Sequence, residues 1–155
     1  MITIRKATIN DLPAIKELNK QIFINNPKYD NDAVEDFAHT PQGEKYFKEA
    51  IRSKKGCFLI AEENEQMIGY ANGEEKEASY RKSKYFEIDN LGVILEKKKQ
   101  GIGKKILNAI TNWAKKKGFQ KIYLNCYVKN EKALNFYRSN GYSEIDICLE
   151  KKISE

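Results

Sequence analysis

The segment from Leu91 to Lys104 holds the residues whose types and spacing are best suited to chemistry. An apolar stretch runs into a basic turn, and a Gly-x-Gly pair, Gly101 and Gly103, then opens an amphipathic helix. The start of a helix leaves backbone N–H groups without partners and carries partial positive charge. Glycine lets a ligand approach that backbone, and the nearby lysines add positive potential. The segment therefore predicts a site for a phosphate or pyrophosphate group.

The glycine pair matches neither of two familiar nucleotide motifs. A P-loop would continue with Gly-Lys-Ser/Thr at the required spacing, and the dinucleotide fingerprint would need glycine where Ile106 stands. An ordinary helix start beside solvated lysines explains the same residues equally well. Both interpretations stay open on this segment alone.

The composition is that of one basic domain. The chain has 155 residues, enough to bury a sizeable core, and 28 basic against 22 acidic residues give a net charge of +6. This charge suits a polyphosphate cofactor, a nucleic acid or an anionic surface, although no recognised nucleic-acid motif accompanies it. We expect a single domain covering residues 1–155.

Three cysteines, Cys57, Cys126 and Cys148, lie far apart in apolar, strand-like segments. They form no CxxC pair and no Cys/His set with metal-ligand spacing, so we expect reduced core thiols and no metal site. No signal peptide and no apolar run of membrane-spanning length is visible. The sequence therefore predicts a cytoplasmic protein with no membrane partner.

Strand-like and helix-like segments alternate along the chain without the strict repetition of βαβ units. Apolar residues at helical spacing, together with capping signals such as Thr8–Asp11, predict the helices. The predicted strands are 2–6, 57–61, 67–71, 85–93, 121–128 and 142–153. The predicted helices begin near 12, 42, 102 and 131, and the residues from 73 to 83 are predicted to form a polar loop. This order favours a mixed sheet with helices on both faces.

The strand predicted at 85–93 carries two carboxylates, Glu87 and Asp89, on one face if its alternation is regular. Charged groups on an otherwise apolar strand cost free energy unless they face solvent or are used. Either this face meets solvent or the carboxylates take part in chemistry. Gly92, in the same strand, indicates a bulge or a close approach of another segment.

Four segments, in order and spacing, resemble the GCN5-related N-acetyltransferase (GNAT) family over most of the chain. Ile4–Asp11 is similar to its common start, Ile-Arg-x-Ala-x-x-x-Asp, and Ile88–Val93 looks like its fourth strand. Lys98–Gly103 resembles its phosphate loop, Arg/Gln-x-x-Gly-x-Gly/Ala, with lysine in place of the usual first residue. Asn130–Tyr142 is similar to the pattern Asn-x-x-Ala-x-x-Phe/Leu-Tyr-x-x-x-Gly-Phe/Tyr.

The resemblance implies an α/β (α+β) fold. The central sheet would be mixed and mostly antiparallel, with about six or seven strands splayed between strands 4 and 5 and about four flanking helices. Fourteen residues follow Gly141. The last hairpin of the family, where a homodimer contact is often built, would therefore be abbreviated in this chain.

The resemblance also implies acetyl-CoA (CoA) as the cofactor. Backbone groups of Leu91 and Val93, on either side of Gly92, would bind the pantetheine arm, and the phosphate loop would hold the pyrophosphate. That loop comprises Lys98, Lys99, Gln100, Gly101, Ile102, Gly103 and Lys104. Further contacts to CoA would come from Asn125, Asn130, Ala133, Phe136 and Tyr137. Simpler roles exist beside these, since Asn130 is a good helix cap and Phe136 suits a core.

The reaction that the resemblance implies is direct acetyl transfer to a primary amine through a ternary complex. A protonated amine has no lone pair, so a base must accept its proton, directly or through water. Glu87 stands where some histone-type members carry a catalytic glutamate, and Asp89 or water alone is the alternative. The N–H of Val93 would stabilise the oxyanion, and Tyr137 matches the tyrosine usually assigned to protonate the CoA thiolate.

The acceptor would be a small-molecule amine or polyamine, or a protein N-terminus or lysine. Acidic residues at 30–36, together with Glu74, Glu75 and Glu77, hint at a cationic amine. Two other readings are a non-catalytic CoA-binding sensor and a basic nucleic-acid-binding domain. Nucleic acid is the less favoured partner, and it would show steep salt dependence of binding.

Overall fold

The computed structural model describes residues 1–155, which divide into a first unit, 1–125, and a second unit, 126–155. The strands of the first unit are β1 (Ile2–Lys6), β2 (Gly56–Glu63), β3 (Gln66–Lys76), β4 (Tyr85–Val93) and β5 (Lys121–Tyr123). Its α-helices are α1 (Leu12–Ile22), α2 (Pro41–Arg52) and α3 (Ile102–Lys116). The second unit contains α4 (Glu131–Ser139).

The five strands form one sheet in the order β1-β2-β3-β4-β5. Neighbours are antiparallel from β1 to β4, and β5 runs parallel to β4. The predicted mixed, mostly antiparallel sheet with four helices is confirmed, but the count of six or seven strands was too high. The strand predicted at 121–128 ends at Tyr123, and residues 142–155 contain no strand. Alternating apolar residues make a strand only where a neighbour takes up the backbone hydrogen bonds, and neither stretch has one.

The loop predicted at 73–83 is shorter than expected. Strand β3 continues to Lys76, which pairs with Tyr85 at the start of β4. Pairing with β4 holds these polar residues in extended conformation, which their composition alone does not predict.

The helices lie where their apolar spacing predicts them. In α1 the residues Leu12, Ile15, Leu18 and Ile22 are all buried. A capping box precedes this helix, in which the N–H of Thr8 donates to the Asp11 carboxylate over 2.7 Å.

Helices α1 and α2 cover one face of the sheet, and α3 covers the other. Asn19 of α1 donates from its side chain to the hydroxyl of Tyr70 in β3 over 2.6 Å, and Phe47 of α2 packs edge-on against the same ring. On the opposite face Gly69, the neighbour of Tyr70, lies against Ile106 of α3. Successive residues of a strand point to opposite faces, so the sheet is buried on both sides.

The cysteines do not all belong to the core. Cys57, in β2, is buried as predicted, whereas Cys126 is half-buried and Cys148 is exposed. The prediction of three core thiols was wrong because the two later cysteines lie outside the strands that were expected to bury them. No helix in the structure has both the length and the apolar character needed to cross a membrane.

Candidate functional site

Strand β4 loses its neighbour on one side after Glu87. Its pairing with β5 covers only Tyr85–Glu87, while β4 itself continues to Val93. The N–H of Ile94 donates to Ile68 over 2.9 Å on the β3 side. Hydrogen bonding alternates along an antiparallel strand, so the peptide groups of Leu91 and Val93 point to the other side, where no strand receives them. This gap is the splay that the family resemblance implies.

The N-terminus of α3, which lies in the first unit together with β4, has backbone N–H groups available to a ligand. Gly101 is its N-cap, with φ of +77°, and the N–H of Lys105 is the first to close a helical bond, to the Gly101 carbonyl over 3.1 Å. The N–H groups of the first helical turn have no helical acceptor. A Cβ atom at Gly101 would have nothing within 4 Å, so space above the helix start is free.

The predicted loop residues contribute in different ways. The side chains of Lys98, Lys99, Gln100 and Lys104 are exposed, Gly103 is half-buried, and Lys97 is already paired with Glu63. The side chain of Ile102 is buried, so only its backbone can face a ligand. The loop therefore combines free N–H groups with unpaired lysines, a combination that suits a pyrophosphate.

The remaining residues predicted to bind CoA lie elsewhere in the chain. Asn125, exposed, ends the first unit. In the second unit Asn130 caps α4, because its side-chain oxygen accepts from the N–H of Ala133 over 3.2 Å. Ala133 and Phe136 follow on this helix, and the ring of Phe136 contacts that of Tyr137 with centroids 5.2 Å apart.

Tyr137 is half-buried on α4. Burial is the main cause that raises the pKa of its hydroxyl above the ordinary value of 10.0, and Cys126 and Tyr142 would raise it further when ionised. The phenol therefore keeps its proton throughout the neutral and mildly basic range. Such a group can donate a hydrogen bond to a developing thiolate.

The two carboxylates of β4 have different surroundings. Glu87 is paired with Lys76 of β3, with 3.2 Å between the charged atoms. Asp89 is the extra residue of a bulge, because Asn90 pairs with Asn72 while Ile88 pairs with Gly73. Bulges redirect side chains, and here Asp89 and Asn90, although adjacent in sequence, both reach Tyr46 of α2.

Asp89 faces an open cleft of about 410 Å³ between α2 and the strands β3 and β4. The polar lining includes Tyr46, Glu49, Arg52, Asn72, Glu74 and Asp89. Of the acidic residues expected to attract a cation, Glu74 lines this cleft. Glu75 instead pairs with Lys84, and Asp36 with Lys20.

A hydrogen-bonded group of three residues behind Asp89 was missed from the sequence. The Tyr46 hydroxyl lies 3.0 Å from Asp89, 2.9 Å from the amide of Asn72 and 3.1 Å from that of Asn90. The sequence offered one weak signal, an asparagine near the end of each of two apolar strands. Tyr46 itself reads as an ordinary apolar residue of an amphipathic helix.

The pKa of Asp89 is raised above its ordinary value of 3.8. Partial desolvation of the carboxylate by the surrounding protein is the main cause of this rise, although the side chain as a whole is exposed. The negative charges of Glu87 and Glu74 raise the pKa further. The hydrogen bond from Tyr46 opposes this rise. Burial also raises the pKa of Tyr46 itself, so its hydroxyl stays protonated.

Comparison with known proteins agrees with this architecture. Residues 13–142 match the model of the Acetyltransferase (GNAT) family. The uncharacterized N-acetyltransferase YhfO of Bacillus subtilis is 25% identical over 96% of this chain and 97% of its own length. N-alpha-acetyltransferase 50 of Danio rerio is 28% identical over 94% of this chain and 76% of its own length. The aminoglycoside N-acetyltransferase AAC(6')-Iy, solved with the bisubstrate analogue CoA-S-monomethyl-acetylneamine, superimposes with a TM-score of 0.78 at 15% identity, covering 99% of each chain.

Proposed function

Since the chain belongs to the GNAT family of acetyltransferases, we propose that it moves an acetyl group from acetyl-CoA directly to a primary amine within a ternary complex. The chain is an acyltransferase of this family, whose cofactor is acetyl-CoA. One observation carries the more detailed proposal. The unpaired backbone of β4 and the open start of α3 occur in one unit, joined by only a short loop.

The first unit would bind CoA through its backbone. Leu91 and Val93 would hydrogen-bond the pantetheine arm as an additional strand would, and Gly101–Lys104 would hold the pyrophosphate on free N–H groups. The exposed lysines Lys98 and Lys99 would add positive potential. Asn125 and the α4 residues Asn130, Ala133 and Phe136 would supply the remaining contacts.

The chemistry would need a base, an oxyanion donor and a group that stabilises the leaving thiolate. The N–H of Val93 would stabilise the oxyanion that forms when the amine attacks the acetyl carbonyl. Tyr137 would donate a hydrogen bond to the CoA sulfur as the thiolate departs. Glu87 or Asp89, directly or through water, would accept the proton of the amine, and the ion pair of Glu87 with Lys76 favours Asp89.

We also propose that both units belong to one acetyltransferase domain. The family match, from residue 13 to residue 142, crosses the boundary between residues 125 and 126. The cytoplasmic location and the homodimer stay predictions from the sequence.

The acceptor would be a primary amine, either a small molecule such as a polyamine or the amine of a protein N-terminus or lysine. The names of the relatives favour amines in general, since one is an N-alpha-acetyltransferase and another acts on aminoglycosides. The cleft is lined by three carboxylates, those of Glu49, Glu74 and Asp89, and by two cations, those of Lys48 and Arg52. This small excess of negative charge favours an amine with positive charge.

Calorimetric titration with acetyl-CoA tests the cofactor site, with dephospho-CoA and duplex DNA as controls. Gly101→Leu places a side chain over the start of α3 and should abolish binding. Gly118→Leu is the matched control, because Gly118 ends the same helix with φ of +86° and a Cβ atom added there would also have nothing within 4 Å. Both variants place a side chain on a residue with positive φ, so the main difference between them is the position of that side chain relative to the proposed ligand site.

Micromolar affinity for acetyl-CoA that is lost in Gly101→Leu and kept in Gly118→Leu would support the proposal. An amine screen that follows release of free CoA would then identify the acceptor. Absence of acetyl-CoA binding by the folded protein would overturn it, and binding of duplex DNA in its place would favour a nucleic-acid function.

A further inference from the structure

The Tyr46 hydroxyl has three hydrogen-bond partners and can donate its proton only to Asp89. An ionised carboxylate can only accept hydrogen bonds, so across the 3.0 Å contact Tyr46 must donate to Oδ2 of Asp89. A hydroxyl has a single proton, and the amides of Asn72 and Asn90 must therefore present N–H groups to the same oxygen. Asn90 donates its second N–H to Oδ1 of Asn72 over 3.0 Å, which ties the two amides together.

The base of this network is rigid. Asn72 is only 2% exposed, and the two asparagines face each other across the β3–β4 ladder at the point where the bulge begins. Tyr46 is anchored by its ring, which packs against Phe47 and Phe37 with centroids 5.0 and 6.2 Å away. The network thus fixes Oδ2 of Asp89, while Oδ1 has no hydrogen-bond partner in the protein and the residue lines the cleft.

Asp89 also has no ion-pair partner in the protein. No lysine or arginine nitrogen lies within 4 Å of its carboxylate, in contrast to Glu87. The charged groups around the cleft and the carboxylate come from all three surrounding elements. They are Lys48, Glu49 and Arg52 of α2, Glu74 and Lys76 of β3, and Glu87 of β4.

We propose that Tyr46 is a positioning residue that orients Asp89 to bind the ammonium group of the acceptor. The inference rests on the proposed function and names the carboxylate that recognises the amine. Asp89 precedes Leu91 by two residues, a distance of about 7 Å along a strand, so an amine bound to it would lie close to the acetyl group held by the β4 backbone. The negative charge would select acceptors that are protonated in solution.

The test is an NMR titration of the Asp89 carboxyl carbon, identified by its absence in Asp89→Asn. The hydrogen bond from Tyr46 lowers the pKa of Asp89, so Tyr46→Phe should raise that pKa. Tyr70→Phe is the matched control, because it removes another buried hydroxyl of the same face, one that is bonded to Asn19 and not to Asp89. In Tyr70→Phe the pKa of Asp89 should equal that of the wild type.

The resonance of the Asp89 carboxyl carbon also reports whether an ammonium group binds to this carboxylate. Spermidine, sisomicin and a peptide with a free N-terminus are added in turn to the full-length protein, and at least one should lower the pKa of Asp89 in the wild type. An unchanged pKa of Asp89 in Tyr46→Phe would overturn the positioning role. No response of the Asp89 resonance to any of the three amines would overturn the binding role.

Kinetics provide a second measurement that does not depend on the stability of Tyr46→Phe. Asp89 is exposed, so Asp89→Asn should fold, and it should raise KM for the acceptor about tenfold while KM for acetyl-CoA is unchanged. Equal effects on both KM values would overturn the inference. If the proposed function itself is wrong, no amine will cause release of CoA, and this outcome differs from a change in KM. The NMR titration does not require turnover, so it would still decide the roles of Tyr46 and Asp89.

Discussion

Ile22 of α1 fills the space that a side chain at residue 92 of β4 would need. A Cβ atom on Gly92 would lie 2.2 Å from Cγ2 of Ile22, far inside van der Waals contact. The sequence offered two explanations for this glycine, and close approach is the correct one, since the bulge lies three residues earlier at Asp89. Helix α1 thus packs directly against Gly92 of β4, and the residues on either side of it, Leu91 and Val93, are proposed to bind the cofactor.

Gly92→Ala should therefore destabilise the protein by about 1–3 kcal/mol, the usual cost of overpacking a filled site. Urea unfolding of the variant and the wild type measures this difference. In the double variant Gly92→Ala/Ile22→Ala the new methyl group gains room, so the two changes should cost less together than the sum of their separate effects. Simple additivity would show that the contact is not the cause.

Acid stability should depend on Asp11. Arg5 binds this carboxylate through both guanidinium nitrogens, at 2.8 and 2.9 Å, and holds its pKa near 2 against an ordinary value of 3.8. A carboxylate with a lowered pKa stabilises the fold above its unfolded pKa, and the contribution is lost as pH falls through the folded value.

Asp11→Asn should therefore lower the free energy of unfolding by about 1–2 kcal/mol at pH 7, a figure reduced for the partial exposure of Arg5. The difference from the wild type should shrink between about pH 4 and pH 2. Urea midpoints at pH 7, 4 and 2.5 measure it. A gap that is the same at all three pH values would exclude titration of Asp11 as the source.

Tyr137→Phe should lower turnover roughly a hundredfold, because the leaving thiolate would lose its hydrogen-bond donor. The phenyl ring keeps the packing, so the dissociation constant for acetyl-CoA should stay the same. Single-turnover assays separate this chemical step from product release. Tyr142→Phe is the control, since its ring lies 5.5 Å from that of Tyr137 and it removes a neighbouring hydroxyl. Equal losses in both variants would argue against a specific role for Tyr137.

Asn130 has two proposed roles that a pair of variants can separate. Its side chain caps α4, and Asn130→Ala should cost about 1 kcal/mol of stability through loss of that cap. Asn130→Ser keeps a capping oxygen on a shorter side chain, so it should preserve stability and weaken acetyl-CoA binding if Asn130 also contacts CoA. Thermal unfolding and calorimetry measure the two effects. Wild-type affinity in Asn130→Ser would leave Asn130 with the capping role alone.

Local signals in the sequence were reliable where the forces are local. The capping box at Thr8–Asp11, the apolar stripe of α1 and the span of α4 depend on residues within a few positions of one another, and each lies where it was predicted. The glycine ends of helices were equally predictable, because Gly118 and Gly141 adopt positive φ just after α3 and α4. The open start of α3, where we propose that the pyrophosphate binds, follows from the same short-range geometry.

Contacts between distant segments decided the rest. Alternating apolar residues could not show that β5 would pair for only three residues, because pairing depends on the partner strand. The bulge at Asp89 arises from the register between β3 and β4, and the group around Tyr46 requires α2 to lie over that bulge. By itself the sequence determined the helices, the open helix start and the family resemblance. Only the tertiary structure decided which of the two β4 carboxylates, Glu87 or Asp89, lines the cleft and which residues orient it. The reason is that strand register and helix packing are set by contacts across the whole sheet.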